Sequence, residues 1–159
     1  CIAVDPWFIV DSAPDQSKLI HVARLVNDNK PIFVLNKIEQ AVQAIGKNRS
    51  ELTIACLGLA FKPDIDDLRE SPAIQIAEEI KAMGFKELFL VEPNITSIPK
   101  EISSGLVSLV DLEFAILSSD ILVFLVGHKS FKEIKPMNLK GKIIVDTIGI
   151  APILKHIND

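Results

Sequence analysis

The stretch LTIACLGLA, residues 52–60, is a nearly continuous run of apolar residues with a glycine close to its end. Continuous apolar runs of this length are typical of strands that are buried on both faces of a parallel sheet. Three further runs of the same kind follow along the chain: ELFLVE at 87–92, ILVFLVG at 121–127 and KIIVDT at 142–147. The four runs therefore predict four strands of a buried parallel sheet.

The segments between the runs carry helix signals. In SPAIQIAEEIKAMG, Ser71 suits an N-cap, Pro72 the first helical position and Gly84 the end of the helix. A second helix is predicted at about residues 111–117, before the third run. The alternation of strands and helices predicts an α/β domain with a Rossmann-like, doubly wound parallel sheet over about residues 49–159.

The part of the chain before the sheet has a different pattern. Apolar residues recur every three or four positions over residues 17–48, which predicts a long connecting helix. Pro31 is expected to kink or divide this helix, and Gly46 to cap its C-terminal end. Residues 1–16, CIAVDPWFIVDSAPDQ, are rich in turn formers and aromatic residues, and we predict a loop with a short extended piece.

Composition excludes several classes of function. With 159 residues, 48% of them hydrophobic and 24% charged, the chain fits one folded domain plus an extra element. The net charge of −4 argues against nucleic-acid partners and anionic membrane surfaces, and no apolar run approaches the ~20 residues of a membrane span. Two cysteines exclude a disulfide framework and indicate a reducing, cytoplasmic location, with Cys56 inert in a strand. The absence of an initiator methionine leads us to expect a piece of a longer protein.

The loop after the first run, GLAFKPDIDDLRESP, is long and charged. Ligands of open parallel sheets bind beyond the carboxyl ends of the strands. Lys62 and Arg69 place positive charge beside a helix N-terminus, an arrangement that favours phosphate. The G-x-G-x-x-G fingerprint is absent after Gly58, and no metal site is predicted. The alternative is that the acidic residues of the loop pair with Lys62 and Arg69 on a solvated surface.

The same loop resembles a long motif that opens the C-terminal domain of the UDP-glucose/GDP-mannose dehydrogenase family, approximately G-x-x-F-K-x-x-x-D-D-x-R-x-S-P. The matching positions are Phe61, Lys62, Asp66, Asp67, Arg69, Ser71 and Pro72. The resemblance implies an NAD-binding domain, absent from this sequence, that is joined by a long helix to a nucleotide-sugar domain. Residues 1–16 are then the catalytic loop at the end of the NAD-binding domain, residues 17–48 the connecting helix of a homodimer, and residues 49–159 the UDP-sugar-binding domain.

The resemblance also interprets the opening residues CIAVDPWF. The family has a catalytic cysteine followed four positions later by an aspartate, which correspond to Cys1 and Asp5. Without that motif, Cys1 is better explained as a boundary residue with no role. Ala3 and the pair Trp7-Phe8 resemble the branch that acts on 2-acetamido sugars and favour UDP-N-acetyl-D-mannosamine. UDP-N-acetylglucosamine and UDP-glucose are the alternative substrates.

The implied activity is the NAD-dependent oxidation of the sugar C6 alcohol to a carboxylate, in two hydride transfers, for bacterial surface-polysaccharide synthesis. Cys1 adds to the intermediate aldehyde as a thiohemiacetal, which becomes a thioester that water hydrolyses, and Asp5 positions or activates the water. Phe61 and Lys62 are expected to line the UDP-sugar site, and Arg69 to reach NAD phosphates. By itself, the chain is expected to bind the nucleotide sugar and dimerise without catalysis.

Four further positions stay open at this stage. Arg24 and Asn27 on the connecting helix suit a polar face or dimer contacts as well as ligand binding. His128 follows the third run and is equally suited to contact a nucleotide or to cap a turn. Ile148 stands after D-T, where relatives often carry a basic residue, so one expected ligand contact is in doubt.

Overall fold

The computed structural model describes residues 3–100, 102–103 and 105–149 of the chain. The chain divides between Phe33 and Val34 into two compact units. Within the described residues, no helix combines the length and the apolarity that a membrane crossing requires.

The first unit begins with a helix, α1, over Asp5–Ser12. The prediction of a loop with a short extended piece was therefore wrong for these residues. Pro6 lies in the first turn of α1, where its fixed φ suits a helix and its missing N–H leaves no donor unpaired. Trp7 packs edge-on against His21 of the next helix, with ring centroids 5.5 Å apart, so that tertiary packing supports this short helix.

The predicted connecting helix consists of two helices, α2 (Lys18–Asp28) and α3 (Lys30–Ile45). Asn29 lies at the break and donates its side-chain amide to the Leu25 carbonyl oxygen at 2.8 Å. Pro31 follows in the first turn of α3, where it has no N–H to continue the hydrogen bonds of α2. The prediction that Pro31 divides the helix is confirmed.

The second unit is built on a five-stranded, entirely parallel sheet with the strand order β3-β2-β1-β4-β5. This order confirms the doubly wound α/β fold. The strands are β1 (Thr53–Leu57), β2 (Glu87–Val91), β3 (Val107–Leu109), β4 (Ile121–Phe124) and β5 (Ile143–Asp146). The helices of this unit after α3 are α4 (Pro72–Ala82), α5 (Leu112–Ser118) and α6 (Lys129–Lys132), with 3₁₀ turns at Arg49–Glu51 and Pro136–Leu139.

Both faces of the sheet are buried. Successive strand residues point to opposite faces, and every residue of β1 and β4 is buried. On one face, α3 from Val34 onward and the apolar side of α4 cover alternate strand residues. The buried residues of this face include Val34, Ile38, Ala41, Val42, Ile54, Cys56, Ile76, Ala77, Ile80, Leu88, Leu90, Ile121, Val123 and Val145. On the other face, α5 and the segment after β4 cover the remaining ones: Ala55, Leu57, Phe89, Val91, Ala115, Ile116, Leu122, Phe124, Phe131 and Leu139. The second half of α3 therefore belongs to the core of the sheet.

The helix signals read from the sequence at Ser71, Pro72 and Gly84 are confirmed, and Asp111 provides a cap that was not predicted. Ser71 caps α4 by accepting a hydrogen bond from the Ala73 amide at 3.3 Å, and Asp111 caps α5 through the Phe114 amide at 2.7 Å. The sequence did not predict β3, which has three residues, lies at the sheet edge and exposes Ser108 at its centre. So short an edge strand leaves no continuous apolar run to detect.

Candidate functional site

The strand order reverses at β1: successive strands are added outward from β1 through β2 to β3 on one side, and then through β4, beside β1, to β5 on the other side. In doubly wound sheets, this switch point at the carboxyl edge is where ligands bind. Three connections meet there: the loop after β1, residues 58–71, the turn after β2, residues 92–94, and the turn after β4, residues 125–128. We call residues 58–71 the β1 loop.

The β1 loop begins with a turn that requires glycine. Gly58 has a φ of +92°, a value that side chains of L-residues rarely adopt. A Cβ at Gly58 would lie 2.5 Å from Cβ and 2.9 Å from the backbone nitrogen of Val126. The Gly58 amide donates to the Val91 carbonyl oxygen at 2.8 Å. The end of β1 is thus packed directly against the turn after β4.

The carboxylate of Glu92, at the end of β2, lies under this turn and is fully buried. Its Oε2 accepts hydrogen bonds from the amides of Leu59 at 2.8 Å and Ala60 at 3.0 Å. In dinucleotide-binding domains, the amides that follow the first strand face a pyrophosphate. Here an internal carboxylate occupies that position, so a ligand phosphate cannot be bound by these two amides.

Asn94 and His128 complete the surroundings of the Glu92 carboxylate. The backbone and side-chain amides of Asn94 donate to Oε1 at 3.2 and 3.1 Å, and His128 Nε2 lies 3.0 Å from Oε2. Five N–H groups therefore converge on the two oxygens of this carboxyl group, and both oxygens act as acceptors. These hydrogen bonds offset the cost of removing the polar group from water.

His128 links this carboxylate to the β1 loop. Its side chain is 1% exposed, and its Nδ1 accepts a hydrogen bond from the Asp64 amide at 2.9 Å. Since Nδ1 is an acceptor, the proton of the neutral ring lies on Nε2 and is donated to Glu92. His128 stands at the N-cap of α6, but its side chain makes no capping hydrogen bond. Neither of the two sequence-based suggestions for His128 included this pairing with a buried acid.

Asp64 anchors the loop a second time. It has a φ of +62°, in the left-handed region that costs a non-glycine residue about 1–3 kcal/mol, although aspartate tolerates it better than most. Its carboxylate accepts a hydrogen bond from the Lys129 amide at 3.0 Å, so backbone and side chain both bind the segment after β4. Farther along, the Phe61 amide donates to the Asp67 carbonyl oxygen at 2.8 Å and closes the loop.

The predicted ligand residues Phe61, Lys62 and Arg69 all lie on the β1 loop. Phe61 is half-buried, whereas Lys62 and Arg69 are exposed. Arg69 Nε and Nη2 each donate to the Asp67 carboxylate at 2.8 Å, and this fork lowers the pKa of Asp67 from 3.8 to about 2. The alternative of acid–base pairing within the loop thus holds for Arg69. Lys62 has no ion pair within the part of the chain that the structure describes.

The other predicted residues lie in the first unit. Asp5 is exposed at the start of α1, and Cys1 lies outside the described residues. Arg24 forms an ion pair with Asp28 one turn along α2, and Asn27 is exposed on the same helix. The structure thus groups the three residues of the β1 loop and leaves Asp5 on a separate unit.

Two apolar positions have structural explanations. Cys56 is fully buried in β1, and burial raises the pKa of its thiol to about 12, which confirms it as an inert core residue. Ile148 packs against the cluster of Phe124 and Phe131 instead of presenting a charge at this edge. Among residues 3–100, 102–103 and 105–149, no three His, Cys, Asp or Glu side chains are grouped as metal ligands.

The sequence analysis did not identify Glu92 and Asn94 as residues of the site, although the sequence contains a signal for Glu92. The run ELFLVE ends with an acidic residue directly after four buried strand positions, at the edge where ligands of such sheets bind. An acid at the end of a buried strand must be paired or functional. Its partner His128 is 36 residues away along the chain, and no local pattern joins the two.

The chain contains a doubly wound α/β domain, as the strand order shows. Its charged loop lies at the switch point on the carboxyl edge of the sheet, where domains of this class bind ligands. The chain belongs to the UDP-glucose/GDP-mannose dehydrogenase family, whose UDP binding domain matches residues 55–152, more than half of the sequence. The match begins within β1 and includes the β1 loop and strands β2 to β5, so the resemblance expected from the β1 loop is confirmed.

The chain is also similar to individual members of this family. The UDP-N-acetyl-D-mannosamine dehydrogenases of Yersinia pestis and Escherichia coli K12 are 53% and 50% identical over 154 residues, which are 94% of this chain. Among solved structures, UDP-D-ManNAc dehydrogenase from Pyrococcus horikoshii superposes with a TM-score of 0.77 at 29% identity, over 94% of this chain and 34% of that one. The chain spans only 36% of the length of the two curated relatives.

Proposed function

We propose that this chain is the C-terminal portion of an NAD-dependent UDP-N-acetyl-D-mannosamine 6-dehydrogenase, and that its second unit binds the UDP-sugar. The observation that carries the proposal is the β1 loop, which holds Phe61 and the exposed cation Lys62 at the switch point of a domain from a UDP-binding family. The two relatives with 50–53% identity support this particular sugar. Product use in bacterial surface-polysaccharide synthesis is part of the proposal.

Lys62 is the proposed donor to the nucleotide diphosphate. Two acids of the loop have other partners, Asp64 the Lys129 amide and Asp67 the Arg69 guanidinium, and neither forms an ion pair with the Lys62 ammonium group. The Leu59 and Ala60 amides are occupied by Glu92, which leaves side chains as the means of holding the diphosphate. Phe61 contributes a half-buried aromatic surface beside the same ligand.

Cys1 and Asp5 are the proposed catalytic residues. Oxidation of the C6 alcohol produces an aldehyde, which has no hydride to lose until a nucleophile adds to its carbonyl carbon. The Cys1 thiolate adds there to form a thiohemiacetal, and the second oxidation converts this into a thioester. Water then releases the carboxylate and returns the thiol. Asp5 carries a negative charge that opposes a thiolate, so we propose that it positions the water or accepts its proton.

Two NAD molecules, bound one after the other, would each accept one hydride. Within this chain, Arg69 fits a contact to a phosphate of the cofactor, because its side chain is 88% exposed and already aligned by Asp67. No dinucleotide fingerprint occurs in the sequence, and the Leu59 and Ala60 amides are occupied. We therefore propose that NAD is bound mainly by a domain outside this chain.

We further propose a cytoplasmic homodimer that forms through the first unit. Helices α1 and α2 and the start of α3 expose a series of large apolar side chains, and leaving them in water is unfavourable by about 25 cal/mol per Å². The most exposed are Phe8, Leu19, Val22, Val26, Ile32 and Phe33, from 50% to 83%. A second copy is the proposed cover. The two cysteines, without a disulfide framework, suit the cytoplasm.

The test is NADH formation by the full-length protein with three UDP-sugars. UDP-N-acetyl-D-mannosamine is expected to give two NADH per sugar, whereas UDP-N-acetylglucosamine and UDP-glucose are expected to react poorly. Cys1→Ser is expected to abolish formation of the acid, because the serine hydroxyl is almost entirely un-ionised at neutral pH and is a far poorer nucleophile than a cysteine thiolate. Turnover of UDP-glucose without turnover of UDP-N-acetyl-D-mannosamine would contradict the substrate, and absence of NADH with all three would contradict the activity.

Calorimetry separates binding from catalysis. The 159-residue chain is expected to bind UDP, and Lys62→Ala to weaken that binding, while NAD binds weakly or not at all. Lys86→Ala, which removes a lysine before β2 at the opposite edge of the sheet, is the matched control. A chain that binds NAD tightly and UDP not at all would contradict the proposed role of the β1 loop.

A further inference from the structure

The buried pair Glu92–His128 has no role in the proposed chemistry, yet it is the most extensively hydrogen-bonded polar group at the switch point that the structure describes. The Glu92 carboxylate accepts from the Leu59 and Ala60 amides at the start of the β1 loop, and His128 accepts from the Asp64 amide farther along. The contact of 3.0 Å between His128 Nε2 and Glu92 Oε2 connects the hydrogen bonds at the start of the loop with the one at Asp64. Phe61 and Lys62 lie between these anchors in the sequence.

We propose that Glu92 and His128 are positioning residues that hold the β1 loop in the conformation in which Phe61 and Lys62 bind the nucleotide sugar; this inference rests on the proposed function of the loop. The three-residue span 61–63 between two anchored segments has few conformations open to it, so the anchors restrict where the Lys62 ammonium lies. The internal carboxylate replaces the phosphate that other doubly wound domains bind at the same amides.

The direction of the hydrogen bonds permits a selective test at His128. An asparagine side chain places its oxygen where Nδ1 lies, so His128→Asn retains the acceptor for the Asp64 amide and loses the donor to Glu92. A glutamine places its amide nitrogen near Nε2, so His128→Gln retains the donor and loses the acceptor. Glutamine is close to histidine in size and asparagine is smaller, and both variants lose the edge-on contact of the His128 ring with Phe131 at 5.1 Å, so this loss is common to the two.

The experiment measures kcat and KM for UDP-N-acetyl-D-mannosamine with the full-length protein. His128→Gln is expected to raise KM about tenfold, the effect of one lost hydrogen bond, with kcat and the KM for NAD little changed. His128→Asn is expected to stay within about threefold of wild type. Glu92→Gln must turn an amide N–H toward other N–H donors and is expected to raise KM about tenfold.

Asp120→Asn is the matched control for Glu92. Asp120 accepts a hydrogen bond from the Thr53 amide at 2.9 Å, so it serves the amino end of β1 as Glu92 serves the carboxyl end. Its variant is expected to lower stability without changing the KM for the sugar. Equal changes of KM in Asp120→Asn and Glu92→Gln would overturn the inference, since they would reflect general loss of stability.

A double-mutant cycle with Lys62→Ala separates the inference from the function on which it rests. If His128 acts by placing Lys62, His128→Gln changes KM less than about twofold once Lys62 is removed. The same tenfold effect in both backgrounds would overturn the inference. An unchanged KM in Lys62→Ala alone would contradict the proposed function of the loop instead. If this sugar is not turned over, the UDP affinities of the wild type, the two single variants and the double variant are measured by calorimetry and compared in the same way.

Discussion

Replacing Gly58 by alanine tests the close approach that shapes the β1 loop. The new Cβ would lie 2.5 Å from Val126 Cβ and 2.9 Å from the Val126 backbone nitrogen, and a backbone atom cannot rotate away as a flexible side chain can. The φ of +92° adds the cost of a left-handed conformation, about 1–2 kcal/mol for an L-residue. Overpacking of a rigid contact adds about 1–3 kcal/mol.

Gly84 provides the matched control, because its φ is +79° and no atom lies within 4 Å of the position that a Cβ would take. Gly84→Ala keeps the conformational cost, part of which is offset because alanine restricts the unfolded chain by about 0.4–1 kcal/mol. Its net effect is about 1 kcal/mol. Gly58→Ala is expected to lower the free energy of unfolding by about 3 kcal/mol, and the difference of about 2 kcal/mol measures the contact with Val126.

Urea unfolding followed by far-UV circular dichroism is the suitable assay. The single tryptophan, Trp7, lies in the first unit, so its fluorescence does not report on the sheet. For a chain of this size, the expected losses correspond to reductions in Tm of about 2–4 °C for Gly84→Ala and about 6–12 °C for Gly58→Ala. If the two variants unfold at the same urea concentration, the end of β1 does not pack against Val126 as the structure shows.

Three further predictions concern single residues of the second unit. Ser71→Ala removes the cap of α4 and is expected to lower the free energy of unfolding by about 1 kcal/mol in urea titrations, whereas Ser71→Asp is expected to be near wild type. In a Cys1→Ser chain, Cys56 is expected to react with a thiol reagent at pH 8 only after unfolding, since burial raises its pKa to about 12; reaction in the native chain would contradict its burial. Arg69→Gln is expected to raise the pKa of Asp67 from about 2 toward 3.8 in an NMR titration. Because the pKa of Asp67 is lowered in the folded chain, the stabilisation from this pair is present above pH 4 and disappears as the pH falls toward 2, and an unchanged titration in Arg69→Gln would exclude the fork in solution.

Much of the fold could be predicted from local patterns. Four of the five strands were found because they are buried on both faces, which leaves continuous apolar runs. The cap Ser71 was predicted because it acts on an amide two residues away, and the Asp111 cap, which was not predicted, is equally local. The short edge strand β3 has no such run, and α1 depends on the contact between Trp7 and His21, so both were missed.

The candidate site divides in the same way. The residues Phe61, Lys62 and Arg69 were found because they lie together in one distinctive loop of the sequence. The buried acid Glu92 and its partner His128 come from different connections, and they meet because β1 lies between β2 and β4 in the sheet. Apolar periodicity and capping depend on neighbours a few residues apart, whereas a buried charge is tolerated only where distant segments bring enough N–H groups to it. That condition is met by the order of the strands, which no short stretch of this sequence contains.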